Sequence, residues 1–362
     1  MAYSATMKKA IGDVRSALAT VGISRQSDNF AEHGEHVPEA NAPTVLVACS
    51  GGRDSLALAA VSHTVCGMLG IHCGAVIVDH QLQAGSGKVS QDAAARCESL
   101  GLNPVIVRTI NVEGSESGRS TEDAARQARY VAIVETARHI GAAAVLLAHT
   151  RDDQAETVLM DVLTRSAGID ALAGMPPDFV RDGIRFVRPF LGLTRCQTTT
   201  ICRELNMAWW DDPTNGDSVP PDQPLPQNYP LRSRVRHTLM PYLSDFFGGD
   251  VPEHLSQAAL VAREDKDFLD AAADDLYRQA VGFSSDGAAA SIRVKPLAQA
   301  HPAIRRRAIA RALAELDISF ASTHVLSIEA LVTDWHGQGA LSLPSGYSVN
   351  RQKHVIRVCK NG

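Results

Sequence analysis

No run of apolar residues in this 362-residue chain is long enough to cross a bilayer. The first twenty residues, MAYSATMKKAIGDVRSALAT, mix polar and apolar positions and lack the continuous apolar core of a secretory signal. A cytoplasmic protein with no membrane partner is expected. Cys-x-x-Cys pairs are also missing. The seven cysteines, at 49, 66, 73, 97, 196, 202 and 359, are odd in number and scattered, which argues against a disulfide framework and against a structural zinc site. Internal repeats are absent as well.

What is present is a globular composition, 45% hydrophobic, on a chain long enough for two or three domains. The formal charge of -5 at first argues against a nucleic-acid partner, but it is unevenly spread. Residues 291–362 carry ten Lys or Arg against four Asp or Glu, a balance of +6, so the first 290 residues hold -11. A basic C-terminal part on an acidic remainder suits a polyanion gripped at one end.

Apolar runs and helical patterns alternate along the first half. The runs 44–49 (TVLVAC), 72–80 (HCGAVIVDH), 103–110 (NPVIVRTI) and 143–149 (AAVLLAH) read as strands. Residues 55–70, 88–101, 120–141 and 152–166 carry helical spacing between and after them. The pattern predicts a doubly wound parallel α/β sheet, which binds ligands at the carboxyl ends of its strands. Ser50 to Ser55, Asp79 with His80, and His149 to Asp153 all fall at such ends. After about residue 210 the alternation fades. The expected organisation is a catalytic domain over 1–215, with a short helix and a polar segment in its first 43 residues, a Pro-rich linker over 216–230, and a smaller, mostly helical domain over 231–362 with a strand-like end.

The stretch Ser50-Gly51-Gly52-Arg53-Asp54-Ser55 sits between the first strand and its helix. Two glycines allow positive φ and close approach of backbone to a bulky anion, and the helix start offers unpaired N–H groups. Nucleotide loops that transfer a γ phosphate end in a lysine followed by Ser or Thr. Here Asp54 stands instead, and a carboxylate meets phosphate only through a cation, so Asp54 reads as a magnesium ligand bridging protein and triphosphate. A tight turn with a capping Asp is the plainer alternative.

This string resembles the pyrophosphatase loop, or PP-loop, of enzymes that cleave ATP between the α and β phosphates, within the adenine nucleotide alpha hydrolase-like fold. VDHQL (78–82), EDAARQARY (122–130), LAHTRDDQAETVLM (147–160), LAGMPP (172–177), VRPFL (187–191) and WWDDPTN (209–215) narrow the resemblance to the tRNA(Ile)-lysidine synthases over about 44–245. The resemblance implies a ligase that uses ATP and magnesium. It would join free L-lysine to carbon 2 of the wobble cytidine in the CAU anticodon of tRNA(Ile), through an adenylated cytidine, releasing AMP and pyrophosphate.

It further implies ATP contacts from Ser50, Gly51, Gly52, Arg53, Asp54, Ser55, Asp79, His80, Arg129 and His149, with Arg126 and Arg129 near ATP or the adenylated base. Asp152, Asp153 and Glu156, all within one turn of a helix start, are the candidates for binding lysine and deprotonating it, with Asp153 and Glu156 catalytic. Capping by Asp152, an intrahelical pairing of Glu122 with Arg126, and a satisfied buried His80 are the structural alternatives.

For RNA, Arg232, Arg234 and Arg236 alternate in LRSRVRH, and Arg305, Arg306 and Arg307 lie on a later helix; basic helix faces are as often merely solvated. Trp209 and Trp210 are expected in the core. Gln83 and Ser233 depart from the family pattern, at positions where an Arg and an Arg-Asn pair are usual. A tRNA thiolase of the same superfamily and a non-catalytic nucleotide-binding module are the competing readings.

Overall fold

The computed structural model describes residues 3–27, 37–81, 85–110, 121–164, 168–220, 222–283 and 289–361. Gln83 and the 28–36 part of the polar N-terminal segment lie outside the described residues. In chain order the first elements are α1 (Ala5–Thr20), β1 (Thr44–Ala48), α2 (Arg53–Leu69), β2 (His72–Asp79), α3 (Ser86–Ser99), β3 (Val105–Thr109), α4 (Thr121–Ile140), β4 (Ala144–Leu146) and α5 (Arg151–Thr164). Then come α6 (Ile169–Leu172), β5 (Asp178–Arg181), β6 (Ile184–Val187), α7 (Arg195–Glu204), α8 (Leu231–Arg234), a π-helical turn (Val235–Leu239), α9 (Met240–Phe247) and α10 (Val251–Ala280). The chain closes with β7 (Val281–Gly282), β8 (Ala290–Arg293), α11 (Val294–Gln299), α12 (Pro302–Ala314), α13 (Ser322–Thr333), β9 (Leu341–Leu343), β10 (Tyr347–Gln352) and β11 (Val355–Lys360).

These elements form two compact units, one of residues 1–164 with 174–259 and one of 165–173 with 260–362. The first is built on a six-stranded sheet of order β3-β2-β1-β4-β6-β5. Every pair from β3 to β6 is parallel, as the alternation predicts. Val45, Leu46 and Val47 of β1 have no exposed surface, which is why this central strand reads as an unbroken apolar run. Helix α1 packs on α2 through Met7, Ala10, Val14 and Leu18, one stripe at helical spacing. Direction reverses between β1 and β4, so the crevice beyond their carboxyl ends is the ligand position in such sheets.

The edge strand β5 departs from the expected all-parallel sheet. It pairs antiparallel with β6 across Asp182-Gly183, both at positive φ (49° and 77°), the two-residue Asp-Gly turn that suits a tight hairpin.

Residues 231–259 pack with the first unit, past the segment 216–230 where a linker was expected. Val235 and Met240 are buried with Ala155, and Leu159, Met160, Val251 and Leu255 join them. The second unit is helical, as anticipated, but it also holds a five-stranded antiparallel sheet of order β7-β8-β11-β10-β9 around Ile292, Val349, Ile356 and Val358. Among the described residues no helix is long and apolar enough to cross a membrane.

Close packing under the first sheet yields a test. A Cβ at Gly74, on β2, would lie 2.6 Å from the Pro104 carbonyl oxygen and 2.9 Å from Leu46 Cδ2. Gly74→Ala is expected to cost about 1–3 kcal/mol by overpacking, lowering the urea midpoint at unchanged m value. An unchanged midpoint would show that these strands have room to part.

Candidate active site

After β1 the chain turns through Ser50, Gly51 and Gly52 into α2. Gly51 has φ +78°, and a Cβ there would come within 3.0 Å of Ala93 Cβ on α3, so both conformation and packing require glycine. Gly52 caps α2 without a side-chain hydrogen bond, leaving the first-turn N–H groups uncapped. Ser55 folds the turn: its Oγ accepts from Ser50 N–H at 3.1 Å and donates to the Gly52 carbonyl at 2.8 Å. From outside, Trp210 N–H donates to the Gly51 carbonyl at 3.0 Å. Trp209 packs partly buried against the core, as expected, and its Nε1 donates to Asp211.

Asp54, in the first turn of α2, takes a hydrogen bond from the Thr198 hydroxyl and lies 3.3 Å from Arg53 Nε. Burial raises its carboxyl pKa, against the opposing pull of Arg53, Thr198 and Arg195.

At the neighbouring crossover, α5 begins with Asp152, Asp153 and Glu156. Asp153 Oδ2 accepts both the N–H and the hydroxyl of Thr150 at 2.8 Å. Its Oδ1 accepts from Arg195 Nη2 and Arg236 Nη2, each at 3.1 Å. Glu156, with a side chain only 3% exposed, is gripped by Arg236 at 2.7 and 3.0 Å and by Arg195 at 3.1 Å. Burial alone would raise the Asp153 pKa, but Arg195, Arg236 and the Thr150 hydrogen bond outweigh it and hold the carboxyl well below the usual range. Asp152 does not join the cluster as a free acid; its Oδ2 accepts the Arg195 backbone N–H at 2.8 Å, a bond between helix starts.

The remaining candidates are distributed as follows. His149, just before α5, accepts from Arg188 Nε at 3.2 Å; burial and that guanidinium lower its pKa to about 3. Asp79 is buried and accepts the Gln81 N–H at 3.0 Å. His80 accepts from Arg129 Nε at 2.9 Å, and burial with Arg129 lowers its pKa to about 4; its Nδ1 is buried without a partner. Arg126 is exposed, 5.7 Å from the Tyr130 ring, and its charge reaches His149.

Most of the arginines expected to contact RNA meet acceptors within the chain. Arg236 neutralises Asp153 and Glu156, and Arg232 donates to Thr157 at 2.9 Å, so both belong to the carboxylate cluster and its rim; Arg234 stands half-buried between them in sequence. In the second unit Arg305 is buried, with its guanidinium turned inward against Glu329 and the carbonyls of Leu297 and Ala300. Arg307 pairs with Asp170 and Asp270, and Arg306 pairs with Glu329 while half-exposed.

The PP-loop domain family matches residues 21–243, and the TilS substrate binding domain matches residues 293–357. A tRNA(Ile)-lysidine synthase of Bifidobacterium longum subsp. infantis is 51% identical across all of this chain and 99% of its own. One from Leifsonia xyli subsp. xyli is 41% identical over 95% of this chain and 98% of its own. The chain belongs to the tRNA(Ile)-lysidine synthase family. A U34-tRNA thiolase from Methanococcus maripaludis, solved with its [4Fe-4S] cluster, superposes with TM-score 0.53 at 13% identity over 72% of this chain and 79% of that one, a likeness of fold.

Within this tRNA(Ile)-lysidine synthase family member, sequence reasoning missed Arg195 and Thr198 of α7. Their signal was present: Thr194 and Gln197 form a capping box, which marks Arg195 as the first residue of a helix.

The neutral histidines carry a pH prediction. Unfolded, each takes a proton below its ordinary 6.5; folded, His149 resists to about 3 and His80 to about 4. The unfolded chain therefore binds more protons between these values, and their contribution to stability is present above pH 6.5 and lost on acidification. Asp153 stays ionised in the folded state through that window, so it adds slope of the same sign only toward the acid end, where the unfolded carboxylate begins to take a proton. Melting temperature should fall from pH 6.5 to 4.5, and His149→Gln should flatten the fall by at most about 1.4 kcal/mol per pH unit. Parallel curves for the two proteins would remove His149 as the cause.

Proposed function

We propose that this protein joins free L-lysine to carbon 2 of the wobble cytidine in the CAU anticodon of tRNA(Ile), consuming ATP. Family membership supports this reading. The observation that carries it is the meeting of two chemically different half-sites at the β1–β4 crossover: a glycine turn with uncapped helix N–H groups, and a buried pair of carboxylates matched by guanidinium groups.

In this reading the turn from Ser50 to Ser55 holds the β and γ phosphates, and the cytidine oxygen at carbon 2 attacks the α phosphate, expelling pyrophosphate. The base then carries AMP as a leaving group. Arg126, Arg129, His80 and His149 line the approach of the nucleotide. In the second step the ε-nitrogen of lysine forms its bond to carbon 2, the bond from that carbon to oxygen breaks, and AMP departs. Asp153 and Glu156 receive and orient the amine. Held so strongly as an anion, Asp153 is an electrostatic anchor rather than a proton acceptor. The basic 291–362 region would contact tRNA phosphates, with Arg306 the most exposed of its arginine triplet.

Among the described residues, no three His, Cys, Asp or Glu side chains are grouped to cage a metal. Asp54 is a single partly exposed carboxylate at a helix N-terminus, a donor set that fits magnesium shared between one carboxylate, phosphate oxygens and water. An ion held there by Asp54 would supply neutralisation of the charge gathering on the triphosphate.

Two outcomes test this function. Asp54→Ala should cut pyrophosphate release by about 100-fold or more with an unchanged fold; normal turnover would take Asp54 out of the site. In single turnover with α-labelled ATP, Asp153→Asn and Glu156→Gln should still adenylate the tRNA, while conversion to lysidine falls by about 100-fold. Adenylation lost along with ATP binding would move these carboxylates to the triphosphate side.

A further inference from the structure

Arg195 is placed unlike any other arginine near the carboxylates. Its backbone N–H is held by Asp152 Oδ2 at 2.8 Å, and it opens α7 inside the Thr194–Gln197 capping box. One nitrogen, Nη2, reaches both Asp153 Oδ1 and Glu156 Oε1 at 3.1 Å. The other side of the guanidinium, Nε, lies 3.9 Å from Asp54 Oδ2 and is buried with no hydrogen-bond partner. α7 is further fastened by Thr198, whose hydroxyl bonds Asp54, and by packing on α2. The backbone of Arg195 is thus fixed at the start of its helix, and its guanidinium is held between the two half-sites by Asp153 and Glu156.

We infer that Arg195 is a positioning residue that remains in the lysine site and stands as a fixed like charge beside the incoming ε-ammonium, weakening lysine binding while speeding its transfer. The inference rests on the reading above that the amine reaches Asp153 and Glu156.

A free lysine amine holds its proton up to about pH 10.4, and only the unprotonated nitrogen can attack. A pocket of bare carboxylates would bind the ammonium well and keep it protonated. A neighbouring cation shifts that balance toward the neutral amine. The charged and titratable groups facing the position are Arg53 and Asp54 from α2, and Asp152, Asp153 and Glu156 from α5. Arg236 faces it from the π-helical turn, and His149 from the end of β4. His149 is neutral near pH 7 and adds no charge. The released proton passes to solvent, the freed electron pair forms the bond to carbon 2, and the carbon–oxygen pair leaves with AMP.

The test is the lysine dependence of lysidine formation on adenylated tRNA, measured in single turnover from pH 7 to 9 for the wild type, Arg195→Gln, Arg195→Lys and Glu156→Gln. Arg195→Gln should lower the KM for lysine by about threefold or more and lower the limiting rate near pH 7 by about tenfold, with the rate recovering as pH rises. Arg195→Lys, which keeps the charge, should keep the wild-type pH profile. Arg195→Gln with a raised KM and a rate reduced equally at every pH would overturn the proposal and leave Arg195 a scaffold residue. Glu156→Gln separates the two readings. A raised lysine KM there with an unmoved profile in Arg195→Gln overturns the role of Arg195 alone, whereas an unchanged KM overturns the placement of the amine as well. If Arg195→Gln fails to fold, Arg195→Lys decides: a wild-type profile supports the proposal and a shifted one contradicts it.

Discussion

Two guanidinium groups facing two buried carboxylates hold the site together. Arg195 and Arg236 reach Asp153 and Glu156 from positions 39 and 80 residues away from Glu156, so α5, α7 and the π-helical turn are tied together where these charges meet. Removing ions from water costs several kcal/mol each, a penalty offset only when every charge is paired and hydrogen-bonded. Asp153 satisfies that condition fully, with the Thr150 N–H and hydroxyl on one oxygen and two arginines on the other. The cluster is therefore more constraint than stabilisation, because an apolar core of the same volume would serve stability as well. Under the proposed function the cluster is a device for receiving a cationic substrate. The π-helical turn adds to this: it keeps Val235 in the apolar contact with Ala155 while Arg236, the next residue, faces the acids.

The phosphate-ready turn depends on the same framework. Asp54 touches Thr198, and Arg195 sits within 3.9 Å of it, so one helix, α7, borders both half-sites. Gly51 is pressed against Ala93, and Trp210 closes the turn from the other side, which holds the backbone still where an anion would approach. If each step of the proposed reaction uses its own half of the crevice, the halves must keep a constant separation, and a short helix bonded to both supplies that.

Much of this was readable before any coordinates. Strands such as Val45 to Val47 are apolar because they are covered on both faces, and the glycine turn, the acids of α5 and the histidines after β2 and β4 all fall where a parallel sheet places ligands. The β5–β6 hairpin escaped notice because its strands are four residues long and carry charges at Asp178, Arg181 and Arg185, which dilute the apolar alternation despite the Asp182-Gly183 turn. Arg236 was unreadable for a different reason. A basic run looks the same whether it faces phosphate or a buried acid, and the choice depends on contacts 80 residues distant. Arg305 to Arg307 could have been read more closely. Consecutive helical residues point about 100° apart, so three in a row spread around the helix rather than along one face.

The central claim is that a lysine amine lies between Asp153 and Glu156 beside a fixed positive charge. Nitrogen NMR of ε-labelled lysine bound to the protein, followed across pH, addresses it directly. The account predicts a bound resonance distinct from that of free lysine, losing its proton below the free value of about 10.4, and returning to the free signal in Glu156→Gln. A bound amine that titrates as in free lysine, or one indifferent to Glu156, would contradict it.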